Sequence, residues 1–185
     1  MKPNLYVALV HYPVINKSGD IIASAVTNLD LHDIARASRT YGVKKFYVVT
    51  PLEDQKELTR EIICHWTSGI GSTLNTDRRQ AIELISIMDS VNAVIEDISA
   101  DGKGYPKTVV TSAKDSPGCI TYPELREMLE DFRPYLLLFG TGWGLAEEIV
   151  LKADYLLEPV KGNTDYNHLS VRSACSIILD RLIRG

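Results

Sequence analysis

The residues of this chain best placed to do chemistry are a glycine-rich turn and a few polar side chains at the ends of apolar runs. Gly140, Gly142 and Gly144 follow the run Tyr135–Phe139, in the order GTGWGLAEEI. Glycines there remove side chains where a strand becomes a helix, so a ligand can approach backbone N–H groups. Such turns also occur simply to make the turn. The spacing is GxGxG, not GxGxxG, and it lies near the C-terminal end, a poor match to a dinucleotide-binding Rossmann turn; no GK[ST] follows, which excludes a P-loop. Arg36 is the second candidate, because a guanidinium binds phosphate and favours developing negative charge. The ordinary reading of a helix arginine is a solvated charge, or a partner for a nearby acid such as Asp33. Thr111 and Ser112 end another apolar run, where polar residues are common. His168, before the last amphipathic stretch, reads by default as a cap or surface residue, and His11 says less. The sequence has no nucleophile elbow, metal-spaced histidine pair or evident carboxylate pair.

The elements that must position these residues alternate short apolar runs with amphipathic stretches. That is the pattern of an α/β fold, a mainly parallel sheet with helices on both faces. Leu5–Val10 reads as a central strand, Lys45–Val49 as a second, Ala93–Asp97 as a third and Thr108–Thr111 as a fourth. Tyr135–Phe139 is the most apolar strand and Tyr155–Leu157 a short last one. The segment from His11 to Asn28 is too long for a simple turn, and long ordered loops are more often functional than accidental. A helix is expected from an N-cap at Asp30 to a stop at Gly42, with Leu31, Ile34, Ala35, Ser38 and Tyr41 inward. His32, Arg36 and Arg39 share another of its faces. Further helices are expected over about 52–64 and 78–88, and after the glycine turn. Another opens at the Thr121–Glu124 capping box, with Pro123 in its first turn, and runs to about Phe132; the last covers about 169–184. The stripe of the last helix is Val171, Ala174, Cys175, Ile178 and Leu182; Ile177 and Leu182 broaden it, which would suit a second buried face. Without repeats or linkers, residues 1–185 read as a single domain.

The 185 residues are 45% hydrophobic and 24% charged, which excludes disorder, collagen and coiled coil. A net charge of −4 argues against a nucleic-acid or membrane binder held by bulk charge, but allows a focused basic face. The acid excess is local: residues 123–158 carry eight acids and three bases, net −5, which leaves the remainder at +1. Cys64, Cys119 and Cys175 form no paired spacing, so no disulfide framework or metal site is implied, and a reduced compartment fits. No segment approaches twenty apolar residues, and the run after Met1 is too short for a signal sequence; no membrane association and a cytoplasmic location are expected.

Taken in order, these signals resemble one family. LHDIARASRTYGV is similar to the first motif of the SPOUT superfamily of S-adenosylmethionine-dependent RNA methyltransferases, with Arg36 six residues before the closing Gly42. TVVTSAK resembles its strand-end cofactor segment, LLLFGTGWGL its second motif, and LEPVKGNTDYNHLSVRSACSIIL its third. The opening VALVHYPV followed by TNLDLHDIARASRTYGV is similar to a small SPOUT family that occurs alone or joined to a bacterial tRNA guanine-N1 methyltransferase. The resemblance implies a C-terminal trefoil knot from roughly Tyr135 onward, although chains are ordinarily unknotted. It implies an S-adenosyl-L-methionine site lined by Thr111, Ser112, Gly140, Thr141, Gly142 and Gly144, with Leu157, Pro159, Val160, Asn167, His168 and Leu169 as its other walls. It also implies a homodimer formed through the last helix and knot region, in which Arg36 is catalytic and acts on the neighbouring subunit's methyl group. Two departures bear on which chemistry applies, ribose O-methylation or base N-methylation. Ser170 stands where the third motif commonly has Asn, and the glycine turn lacks a common Glu.

The expected reaction is methyl transfer to an RNA, tRNA or rRNA, with Asp33, Asp165 or His168 as candidate proton acceptors. RNA would meet His32, Arg36, Arg39, Lys44, Lys45, Lys103, Lys107 and Lys114. With almost the whole chain in this core, recognition would fall to the dimer surface, the loop after Val10 or a partner protein. Two other readings stay open: a non-catalytic S-adenosylmethionine- or RNA-binding module acting as a partner or regulatory subunit, and a flavodoxin-like nucleotide or flavin binder.

Overall fold

The computed structural model describes residues 3–184; the side chain of Lys103 lies outside what it describes. Six strands form one sheet in the order β5–β4–β1–β7–β6–β8, all pairings parallel. They are β1 (Leu5–Val10), β4 (Phe46–Val49), β5 (Ile85–Met88), β6 (Lys107–Thr111), β7 (Tyr135–Gly140) and β8 (Tyr155–Leu157). A separate antiparallel pair, β2 (Val14–Ile15) and β3 (Ile21–Ile22), lies in the long loop after β1.

β1 is buried at every position, which explains its unbroken apolar run: a parallel strand covered on both faces has no solvent side. Its side chains alternate between two cores. Leu5, Val7 and Leu9 pack with Leu31 and Ile34 of α1 (Asn28–Thr40), Ile82 of α4 (Thr76–Ile82), Leu125 of α6 (Tyr122–Met128) and Leu179 of α8 (Val171–Ile183). Tyr6, Ala8 and Val10 pack with Val94 and Ile98 of α5 (Val91–Ile98), and with half-buried Ile149 and Val150 of α7 (Glu147–Lys152). Each such valine, leucine or isoleucine withdrawn from water contributes about 1.5–3 kcal/mol. α2 (Glu53–Thr67) adds half-buried Ile62, Ile63 and Trp66 to the first core, and α3 (Gly71–Leu74) links it to α4. The helices following β1 and β7 thus lie on opposite faces, so the topological switch point, where open α/β sheets bind ligands, falls at the β1–β7 boundary.

The expected inner face of α1 holds, with Leu31, Ile34, Ala35 and Ser38 buried, and Gly42 stops the helix at φ 74°. Its start differs. Thr27, not Asp30, is the N-cap: its Oγ1 accepts from the Asp30 N–H at 3.2 Å and donates to the Asp30 carboxylate at 2.6 Å. The expected helix over 78–88 is two elements, because Ile85–Met88 leaves the short α4 to pair with β4. The expected strand Ala93–Asp97 is the helix α5. Val91, Val94, Ile95 and Ile98 lie at helical spacing toward the core, and Ser90 caps the Ala93 N–H. Short apolar runs fit either period, and here tertiary burial decided. The Thr121 capping box is present; its helix ends at Met128, followed by a 3-10 turn over Leu129–Asp131. α8 starts at Val171, with Ser170 accepting from the Ser173 N–H, so Ser170 performs the capping that an Asn would. Leu182 is buried in the chain's own core with Cys175 and Ile178, while Val171, Ala174 and Ile177 are half-exposed.

Candidate functional site

β7 delivers its glycines beside the end of β1, where Val10 pairs with Gly140. Only glycine fits at position 140, because a Cβ there would lie 2.6 Å from the Leu145 nitrogen and 2.9 Å from the Gly144 carbonyl carbon. Gly144 is the opposite case: at φ 118°, a Cβ would meet nothing within 4 Å. The turn therefore folds tightly on itself at Gly140 and stays open beside Gly144, a cradle where a ligand can approach the backbone.

The long loop after β1 clamps this turn. Trp143 N–H donates to the Ile15 carbonyl at 3.0 Å, Ile15 N–H to Gly144 at 3.0 Å, and Ala146 N–H to Pro13 at 3.2 Å. Thr141 Oγ1 donates to the Val10 carbonyl at 3.0 Å and also meets the Ser24 hydroxyl, which lies 2.9 Å from His11 Nδ1. The Thr141 hydroxyl thus holds the turn to β1 and is not presented to a ligand. His11 is wholly buried, and burial holds its imidazole down at about 4. His11, Val14, Ile15 and Ser24 were missed as supports of the site. Their only signal in sequence was the improbable length of the loop that carries them.

Two further loops converge on the same edge. Thr111 pairs with Leu157 across β6 and β8, and its hydroxyl donates to the Leu138 carbonyl at 3.0 Å. Ser112 Oγ accepts from the Lys114 N–H, and Asn167 Nδ2 donates to the Ala113 carbonyl at 2.9 Å. Leu157 and Pro159 are buried, Val160 is half-buried, and His168 and Leu169 are exposed. His168 lies between Trp143 and Tyr166, its ring centroid 6.4 Å from each. The expected residues of the glycine turn, the Thr111–Ser112 segment and the Leu157–Leu169 loop thus share the C-terminal edge of β7, β6 and β8. The polar side chains Thr111, Ser112, Thr141 and Asn167 tie backbone to backbone, and apolar Leu157, Pro159 and Val160 form a wall. That donor set suits an adenosine, with apolar loops for the ring and backbone groups for its polar edge. Two concavities lie elsewhere, one of about 440 Å³ lined by Asn4, Arg126, Phe132 and Leu182, the other of about 260 Å³ beside Ser90 and Ile149.

Arg36 projects from the exposed face of α1. The acid that could neutralise it is taken: Arg172 at the start of α8 contacts Asp30 at 3.2 Å and Asp33 at 3.4 Å. Among the described residues the Arg36 guanidinium has neither ion pair nor hydrogen bond, and no contact joins it to the glycine turn of its own chain.

A parallel α/β sheet with a bare-backbone cradle at its switch point, closed by the loop before the last helix, defines a SPOUT-type methyltransferase fold. The solved structure of the Aquifex aeolicus TrmH/SpoU tRNA modifying enzyme shares it, with a TM-score of 0.57 over 98% of this chain and 75% of that one, at 19% identity. The chain belongs to the family of SAM-dependent RNA methyltransferases, whose family model matches residues 4–184. It is 51% identical, over 97% of its length, to a tRNA (guanine-N(1)-)-methyltransferase of Nitratidesulfovibrio vulgaris, and spans 42% of that relative's length. It is also 41% identical to an uncharacterized protein of Aquifex aeolicus, covering 97% of this chain and 88% of that one. No helix among the described residues is long and apolar enough to cross a membrane.

Proposed function

We propose that this chain, as a homodimer, transfers a methyl group from S-adenosylmethionine to a nucleotide of tRNA or rRNA. The observation that carries the reading is the bare-backbone cradle at the β1–β7 switch point, in a chain whose Arg36 is released from its neighbouring acid. The tRNA activity named for the Nitratidesulfovibrio relative favours tRNA as the substrate class.

When bound, S-adenosylmethionine supplies a methyl group on a sulfonium that is already a good leaving group. The protein's task is then alignment of an in-line attack and management of one proton. The glycine turn and the Thr111–Lys114 segment would hold the donor through backbone groups, and Leu157, Pro159 and Val160 would keep water from its apolar side. Arg36 binds the phosphate beside the target or lowers the charge cost at the attacking atom. Of the candidate proton acceptors, Asp33 is engaged by Arg172, whereas His168 stands at the cradle beside Trp143. The absence of any contact from Arg36 to its own cradle fits action across a dimer.

The same reading includes the C-terminal knot. β8 pairs with β6 on one side, and its Leu157 bridges Ile120 on the other. Residues 112–119 therefore pass round the end of β8, and the chain leaving Leu157 continues to α8, which packs on α1. A segment enclosed in this way is what threading requires.

Calorimetry with S-adenosylmethionine, followed by transfer of labelled methyl to bulk RNA from cells lacking the protein, tests the reading. Binding with transfer, and one modified nucleoside restored by mass spectrometry, is expected; binding without transfer to any RNA pool overturns it.

A further inference from the structure

The exposed face of α1 continues onto its neighbours as a cationic and aromatic strip. His32, Arg36 and Arg39 lie along one side of the helix, and beside His32 stand His65 and Trp66 of α2 and Arg78 of α4. The Trp66 ring is met edge-on by His32 at 5.4 Å and by His65 at 5.0 Å, while the Arg78 guanidinium lies over it at 4.4 Å. Stacking on an indole fixes the plane of a guanidinium and leaves its N–H fork outward, the arrangement that binds phosphate in two-point fashion. His32 Nδ1 is buried with no hydrogen-bond partner among the described residues. Of the acids nearby, Asp33 is held by Arg172 and Glu83 by Arg79, while Asp77 stands in the first turn of α4. Arg36 and Arg78 have no ion pair among the described residues; burial, then Arg78, holds the His32 imidazole low, with Asp33 opposing and Arg36 adding to the effect. Arg36 lies one helical turn from His32, so the strip runs without a break from Arg36 to the Arg78–Trp66 stack.

We infer that the strip from Arg36 through His32 to the Arg78–Trp66 stack is the docking track for the RNA backbone adjoining the target nucleotide. The inference rests on the methyltransferase reading, because an RNA whose target reaches Arg36 must extend across the neighbouring surface. In a chain of net charge −4, a focused track of this kind supplies the phosphate contacts that bulk charge cannot.

The test uses full-length protein and bulk tRNA from cells lacking it. Arg78→Ala is expected to weaken tRNA binding about tenfold and to reduce the slope of log K against log salt by about one. KM for tRNA should rise with kcat and S-adenosylmethionine affinity retained. Arg39→Gln, which leaves the Trp66 stack intact, should weaken binding in the same direction. Arg133→Ala, in the turn before β7 and paired with Asp131, should change nothing. Unchanged tRNA affinity in both Arg78→Ala and Arg39→Gln, with normal methyl transfer, overturns the track and leaves the methyltransferase reading standing. Lost binding in those variants, with no transfer even by the wild type, overturns the link to a target nucleotide together with the enzyme and leaves the strip an RNA-binding surface only.

Discussion

Two single residues carry sharp consequences. Arg36 is exposed and unpaired among the described residues because Arg172 occupies Asp33, so its removal disturbs little packing. Arg36→Ala should lower methyl transfer by a hundredfold or more, about 3 kcal/mol of transition-state stabilisation, with S-adenosylmethionine affinity by calorimetry unchanged; loss of cofactor binding instead would place the residue in the cradle. His11 makes a prediction about pH. Its folded-state value of about 4 lies below the ordinary 6.5. Between the two, the unfolded chain binds a proton that the folded chain refuses. Its contribution is therefore complete above about pH 6.5 and is lost as pH falls toward 4, amounting to about 3 kcal/mol. Denaturant melts at pH 7.5 and 4.5 should show that decline, and His11→Asn should flatten it while keeping a polar group beside Ser24. An equal slope in both proteins would locate the acid sensitivity elsewhere.

At the scale of elements, the glycine turn and the α1–α8 clasp are separable. A Cβ at position 140 collides with backbone, not with a flexible side-chain end, so Gly140→Ala must reshape the turn. S-adenosylmethionine affinity should fall at least tenfold with the far-UV spectrum retained, whereas an unaltered affinity would remove the turn from the site. Arg172→Met instead leaves the buried Asp30 carboxylate with the Thr27 cap but no cation. It should cost about 1–3 kcal/mol, seen as a lower Tm, and it frees Asp33 to approach Arg36. What the sequence revealed, and what it hid, divides along the same line. β1, β7, the inner face of α1 and the Thr121 capping box were legible because period, cap chemistry and unbroken apolar runs are local properties. β5 and α5 were misassigned because ISIM and VNAVIEDI fit either period, and only pairing with β4 and burial of Val94 and Ile98 choose. The site was legible as motifs. Their roles were not: Thr111, Thr141 and Asn167 hold loops together through hydrogen bonds to backbone carbonyls.

For the whole molecule, the proposed role of Arg36 raises the question of where it would meet the methyl donor. Within one chain it has no contact with the cradle. α1 packs against α8, and exposed Leu29, Trp143, Tyr166 and Leu169 accompany half-exposed Ile177 on the helix and loops around it. A second copy covering that surface would bury apolar area and set each Arg36 against the opposite cradle, in an isologous two-fold arrangement. Sedimentation should then give a dimer, and Ile177→Asp should yield monomers that bind S-adenosylmethionine with no transfer. Mixing supplies the more discriminating test. Arg36→Ala protomers retain a cradle but no arginine; Gly140→Trp protomers retain the arginine but no cradle. Each homodimer is inactive. If Arg36 acts in trans, half of the randomly exchanged dimers contain one competent site, so activity should return to about a quarter of wild type. If Arg36 serves its own chain, every site in the mixture lacks one component and no activity returns.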